Sequence, residues 1–390
     1  MAGNGTWLSS VRAKAWDAYQ AAPAPDRVAH VWRYTDPAPF LLPDSLLTER
    51  TVPGLIAPSA PAPDGLVVLD LAEAAVSHAD IVRQHFGTAV KDGDGKLQAL
   101  NTARWQGGLF VHATKNLAPS RPLMLRSRLG NDRFNASRLL VVAEDGADLT
   151  IVREYVAGDS PVAPGVQANG VIEIIAGANA RVRLVVLQDL AFGSLLHLAQ
   201  RTIAGRNARI ETLVCSLGGV TMKADIGTIL AGEGAESESW GIVAGRGAQH
   251  FDHHTVHEHK AGRTRSNFDY KTVLRNTSRS VYTGVIRIDE GAKNCEAYQE
   301  NRNLMLDDTA TADSIPELEI LNDEVRCTHG ATMGAIEPEY LFYLESRGIP
   351  PLDAQQMYIE GFVEPGIARL PEALAVELRR RIGARLEALS

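Results

Sequence analysis

Three groups of side chains in this 390-residue sequence have the types and spacing to do chemistry. The first is Cys327-Thr-His329. On an extended segment these two side chains point the same way, about 7 Å apart, or two strand rises. A thiolate and an imidazole so placed suit a soft metal or an iron–sulfur fragment. One thiol and one imidazole do not complete a four-ligand site, so further ligands would come from another chain. The other reading of Cys327 is a buried structural cysteine. The second group is His250-Phe-Asp-His-His-Thr-Val-His-Glu-His259, which holds five of the eleven histidines. Strand alternation puts His253, Thr255, His257 and His259 on one face and His250, Asp252, His254 and Glu258 on the other. Neutral imidazoles sharing a face bind divalent metal, which makes His253, His257 and His259 candidate ligands. Against this, no His-x-x-x-His on a helix and no Cys-x-x-Cys closes a site, and the plainer reading is a polar outer strand. The third group is the carboxylate pair Asp307 and Asp308, which could serve a glycosidase or lyase.

Other machinery is missing from the sequence. There is no Gly-x-x-x-x-Gly-Lys-Ser/Thr phosphate loop, so any ATP hydrolysis must come from elsewhere. Gly245-Arg-Gly247 lacks the third glycine of a dinucleotide fingerprint, and no Gly-x-Ser-x-Gly elbow occurs. Asp92-Gly-Asp-Gly95 carries only a fragment of a calcium loop and reads as a turn.

Length predicts two or three folding units. Hydrophobic content of 45% and charged content of 22% are ordinary for a soluble globular chain. A net charge of −8 gives no basic field for nucleic acid, and no apolar run is long enough to span a membrane. Met1 to Gln20 lacks the pattern of a signal peptide. Cys215, Cys295 and Cys327 are too few and too scattered for a disulfide framework. Together these predict a cytoplasmic protein that binds neither nucleic acid nor membrane.

Three zones position the candidate groups. In residues 1–110, Trp7, Val11, Ala15, Trp16 and Tyr19 recur at helical spacing. A proline-rich stretch from Pro37 to Pro63 then reads as extended linker. Leu66–Leu71 and Ile81–Phe86 read as a short strand and a helix. Residues 111–332 repeat. Short alternating runs are separated by turn clusters such as Gly177-Ala-Asn-Ala, Gly205-Arg-Asn-Ala, Gly232-Glu-Gly-Ala, Gly245-Arg-Gly-Ala, Asn276-Thr-Ser and Glu290-Gly-Ala. Gly177 to Gly205 spans 28 residues and so does Gly205 to Glu233, after which the steps are 14 or 15. Glycine and asparagine tolerate positive φ and serve as corners, and segments with one buried face stack into a β-solenoid. An ordinary β-sandwich is the competing architecture. Residues 333–390 revert to helix. Pro338 starts one, Asp353 with Gln356 would form a capping box, and Pro371 to Leu389 holds a last helix with Leu378, Ile382 and Leu386 on one face. Such helices would cap the solenoid's end or dock a partner.

From Ser266 onward the sequence resembles the SufB/SufD family of iron–sulfur cluster assembly proteins, and within it the SufD branch. The resembling strings are Tyr270–Leu274, Val281–Ile288, Asn301–Leu306, Pro316–Ile320, Glu324–Thr332 and Leu341–Ile349. Asp252, Thr255 and His259 extend the likeness backward, and Trp32-Arg-Tyr-Thr35 resembles the family's N-terminal Trp-Lys-Tyr-Thr. The resemblance implies a right-handed parallel β-helix flanked by N-terminal and C-terminal helical regions. It also implies a scaffold subunit that is not itself an enzyme, pairing with SufB through β-helix edges. The ATPase SufC would dock on the C-terminal helices, in a segment containing Tyr340, Phe342, Tyr343, Arg347, Met357 and Phe362. No tightly bound cofactor is implied, only an iron–sulfur cluster shared transiently with SufB. The family's Cys-Ser-His-Gly motif falls on Cys327-Thr-His-Gly330, with Thr328 replacing serine and His329 at the histidine implicated in assembly. Asn301 occupies the place of SufB's key cysteine, which favours SufD over a divergent SufB. When isolated, the chain would pair with itself through the same edge. The rival of a different class is a carbohydrate-active β-helix enzyme.

Overall fold

The computed structural model describes residues 4–47, 51–52, 55–129, 132–157 and 164–387, with the side chains of 4–6, 386 and 387 excepted. Leu389 and the side chain of Leu386 therefore lie outside the described residues. The centre is a parallel β-solenoid of eight coils built from two nine-stranded sheets. In each sheet eight strands are parallel, and the ninth, Ile56–Pro58 in one and Val67–Asp70 in the other, is antiparallel. Successive coils stack in register: Thr221 pairs with His250, and His250 with Arg279. The 28-residue repeat is thus one coil, and the 14-residue step is one strand with its corner.

The corners explain why glycine and asparagine recur. Asn179, Asn207, Gly234 and Arg263 hold φ of 58°, 55°, 71° and 57°. There each backbone N–H turns outward and donates to a carbonyl of the next coil, Asn179 to Arg206 and Asn207 to Glu233. Asparagine reaches this region at little cost, whereas Arg263 bears the steric penalty of a Cβ there. At the Glu290-Gly-Ala cluster the positive φ belongs to Asn294, not Gly291.

One column of inward-facing side chains shows how the lumen changes along its length. From first coil to last it reads Leu123, Ile151, Leu184, Thr212, Ser239, Phe268, Gln299, His329. The first half is an aliphatic core. The second is aromatic and polar.

Helices α1 (Asn4–Ala21), α2 (Leu71–Ser77), α3 (Ala79–His85) and α4 (Lys96–Arg104) cover the outer face of one sheet at its first strands, against Phe110, Phe134 and Leu140. The proline-rich stretch is not a free linker. A short helical turn just before it, His30–Trp32, and two within it, Ala38–Phe40 and Asp44–Leu46, strap the chain across the same sheet, while Pro53 lies outside the described residues. Proline's fixed φ suits such turns as well as extended chain. Trp32 stacks on His197 with ring centroids 6.1 Å apart, and Gln167 donates to the Phe40 carbonyl at 3.0 Å. Thr35 donates to Asp252, which is also paired with Lys223 at 2.8 Å.

Helices α5 (Pro338–Ser346), α6 (Pro351–Ile367) and α7 (Glu372–Glu387) follow the last strand. They do not cap the solenoid. α6 and α7 fold back along the outer face of the other sheet, burying Ile359, Val363, Ile367, Leu378 and Ile382 on Val185, Leu213, Trp240 and Ile242. Arg381 reaches Glu154 at 3.2 Å, far back in the second coil. The expected capping box is absent too: Pro350 holds the N-cap position of α6, and Asp353 lies inside its first turn.

Candidate functional site

Because the last helices turn back, the solenoid ends on two strands, Val325–Gly334 and Thr311–Ile320, whose outer edges no other strand covers among the described residues. Each presents an unpaired row of backbone donors and acceptors, a template for strand addition. In the strand before the edge, Cys295–Met305, the lumen-facing residues Cys295, Ala297, Gln299, Asn301 and Asn303 are buried. The parallel register carries that facing onto Val325, Cys327, His329, Ala331 and Met333. Cys327 and His329 therefore share the lumen side of the open end. Cys327 is half-buried against the Phe268–Tyr282 cluster, while His329 is exposed because no ninth coil covers it.

Burial pushes the Cys327 thiol above its ordinary range, and nearby Cys295 adds to this against a hydrogen bond from the Ala297 backbone. At neutral pH Cys327 is a thiol that must lose its proton to ligate a metal. Cys295 and Cys215 are buried, the first among corner groups including Thr264 at 3.1 Å, the second beneath the C-terminal helices.

Beneath the mouth lies a polar layer of which the sequence reading singled out only Asn301, leaving Gln299 and Asn303 unnoticed. Asn301 donates to the Tyr270 carbonyl at 3.2 Å, and Asn303 donates to Asn301 at 2.7 Å and to the Thr332 carbonyl at 3.2 Å. Gln299 lies on the same strand as this layer, in register with His329. Its only sequence signal is alternation, which puts positions 297, 299, 301 and 303 on one side.

The histidine strand faces the other way from the polar outer strand expected. His253, His257 and His259 point into the lumen. His253 meets the Ser216 hydroxyl at 2.9 Å and His257 that of Ser237 at 3.0 Å, while His259 lies between Thr264 and Ser266 at 2.7 and 2.9 Å. His257 also stacks on Phe268 at 3.8 Å between centroids. Burial pushes His253 and His259 down to about 4, and His257 well below its usual range. These are neutral imidazoles held by hydroxyls. Among the described residues no three His, Cys, Asp or Glu side chains converge to hold a metal ion. Alternation identifies two faces, but the strap over His250 and Asp252 is what makes theirs the outer one.

The remaining candidates separate. Asp307 accepts the Asn276 backbone N–H at a corner. Tyr340, Phe342, Tyr343 and Met357 are at least half exposed, Phe342 most at 72%. Arg347 stacks on Tyr343 at 5.0 Å. Phe362 instead packs inward, with the Lys271 ammonium 5.8 Å from its ring. No described helix is long and apolar enough to cross a membrane.

Two family models match this chain: the SufBD core domain of the SUF system for FeS cluster assembly over residues 126–362, and the SufBD protein N-terminal region over 52–125. An iron–sulfur cluster assembly SufBD family protein of Staphylococcus saprophyticus is 33% identical over 327 residues, covering 83% of this chain and 69% of that protein. Relatives under the same family description in Staphylococcus epidermidis and Staphylococcus aureus are each 32% identical, over the same shares of both chains.

Proposed function

The chain belongs to the SufBD family of iron–sulfur cluster assembly proteins, and from that premise we propose that it is the SufD-type scaffold subunit of an ATP-driven complex. The observation that carries this reading is the uncapped end of the solenoid, where Cys327 and His329 stand on the lumen side of a last strand whose outer edge is unpaired. In this reading the edges pair with those of SufB, and His329, with Cys327, meets a SufB cysteine across the joint. Iron and sulfide assemble there transiently and pass to apo-proteins. An asparagine at position 301, facing the lumen where SufB would carry its cysteine, supports the SufD rather than the SufB assignment.

The chain is non-catalytic in this scheme and works in the cytoplasm, with hydrolysis belonging to SufC. The exposed aromatics of α5, with Met357 of α6, form the SufC seat. α6 and α7 are bonded along the sheet whose last strand carries His329. Closure of two ATPases would therefore pull on that sheet and open the joint. The test is co-expression with SufB and SufC followed by mass determination. One copy of this chain, one SufB and two SufC is the expected assembly, and His329→Ala should preserve it while abolishing cluster build-up. Recovery of the chain alone, or unchanged cluster yield in the variant, overturns the reading.

A further inference from the structure

Gln299 is 1% exposed, yet neither its amide nitrogen nor its amide oxygen has a hydrogen-bond partner. The Ser314 hydroxyl is likewise buried and unpartnered. Orphaned groups are unusual in a folded interior and call for a physical reason. The polar layer is not loosely made in general, since Asn301 and Asn303 beside Gln299 are both engaged. The two orphans also lie together in the fold. Gln299 is the register partner of His329, one coil beneath the mouth. Its side chain crosses the lumen to Gly284, where an added Cβ would lie 2.5 Å from the amide oxygen and 2.6 Å from the Tyr282 hydroxyl. Ser314 stands in register directly over Tyr282 on that opposite wall. Glycine at 284 thus makes the room into which the amide extends.

We propose that Gln299 and Ser314 form a hydrogen-bonding seat for iron-bound sulfide beneath His329. The chemistry of the surroundings selects the ligand. On the lumen side of the last two coils stand the even positions of 280–288 and 312–320 and the odd positions of 295–303 and 325–333, and none of these is Lys or Arg. A hard oxyanion such as phosphate calls for cationic forks. A neutral amide N–H and a neutral O–H in an apolar wall suit a diffuse, soft anion whose charge is already met by iron. Hydrogen bonds to cluster sulfurs of this kind hold the cluster in place and tune it. The inference rests on the reading that clusters form at this end, and adds which residues of this chain hold the sulfide.

The test uses the full chain co-expressed with its SufB and SufC partners, loaded anaerobically with ferrous iron and sodium sulfide. Gln299→Leu keeps the volume and removes the orphaned amide, so assembly mass and melting temperature should hold or rise. The expected result is a cluster lifetime against chelator about tenfold shorter, in line with the loss of an outer-shell partner. The deuterium-sensitive shift of the Fe–S stretches in resonance Raman should disappear with it. Ser314→Ala should act in the same direction and carries the test if Gln299→Leu fails to assemble. Wild-type lifetimes and an intact deuterium shift in these variants overturn the seat. His329→Ala separates the two levels. If it abolishes the cluster while the seat variants are silent, only this inference falls. If it too leaves the cluster unchanged, the open end is not the assembly site and both fall.

Discussion

The two ends of the solenoid obey the same repeat physics and are finished in opposite ways. At the first coil, antiparallel strands close both sheets, and α1 to α4 cover one of them. Beneath α4 the buried Arg138–Glu173 pair, 2.5 Å apart, ties helix, loop and sheet together. Glu173 also accepts the backbone N–H groups of Gly87, Ala89 and Val90. At the last coil, both edges are bare and the lumen has turned from aliphatic to polar. Covering helices and the buried Arg138–Glu173 pair add stability at the closed end. Unmet backbone groups and candidate ligands concentrate binding capacity at the open one. A solenoid can carry both because each coil contacts only its neighbours, so one end can be left unfinished without loosening the other.

The largest test of this contrast is acid. His253 and His259 hold folded pKa values of about 4 against an ordinary 6.5, so below 6.5 the unfolded chain takes up protons that the native lumen refuses. The stability associated with each is fully present above pH 6.5 and falls by about 1.4 kcal/mol per pH unit down to about pH 4. Hydrogen exchange should show the later coils losing protection before the aliphatic first coils. Simultaneous loss along the whole solenoid would break the comparison.

Next in size is Glu173→Ala, which strands a buried guanidinium and should cost about 3–5 kcal/mol in chemical denaturation. It acts at the closed end, so affinity for the edge-pairing partner should stay unchanged. The converse is Ile320→Lys with Met333→Lys at the open end, where Met333 is 53% exposed. Partner affinity should fall at least tenfold by titration while the unfolding free energy moves by no more than about 0.5 kcal/mol. His329→Ala should likewise leave unfolding within about 0.5 kcal/mol of the parent. A destabilisation of several kcal/mol would give the open end a structural role. The smallest effect is a rate. Alkylation of Cys327 should rise about tenfold per pH unit from 7 to 9 as its thiolate forms, and edge pairing should suppress it. Cys215 and Cys295 should stay unmodified in the native chain.

The repeat was legible in the sequence because its causes are local. A corner needs positive φ, which Asn179, Asn207, Gly234 and Gly247 supply, and a strand half buried against the next coil needs alternation. α1 and α5 follow from helical spacing and a leading proline in the same way, and Cys327 with His329 on one side follows from a period of two. What no local rule contains is which of two faces is inside, and what lies against it. His253, His257 and His259 were placed in the lumen by the fit of Thr35 and Trp32 over the opposite face, contacts more than 150 positions away in sequence. The same holds for the open end. The apolar stripes of α6 and α7 require a covering surface without naming it, and only three-dimensional packing assigned them to the face of the sheet and left the last coil bare.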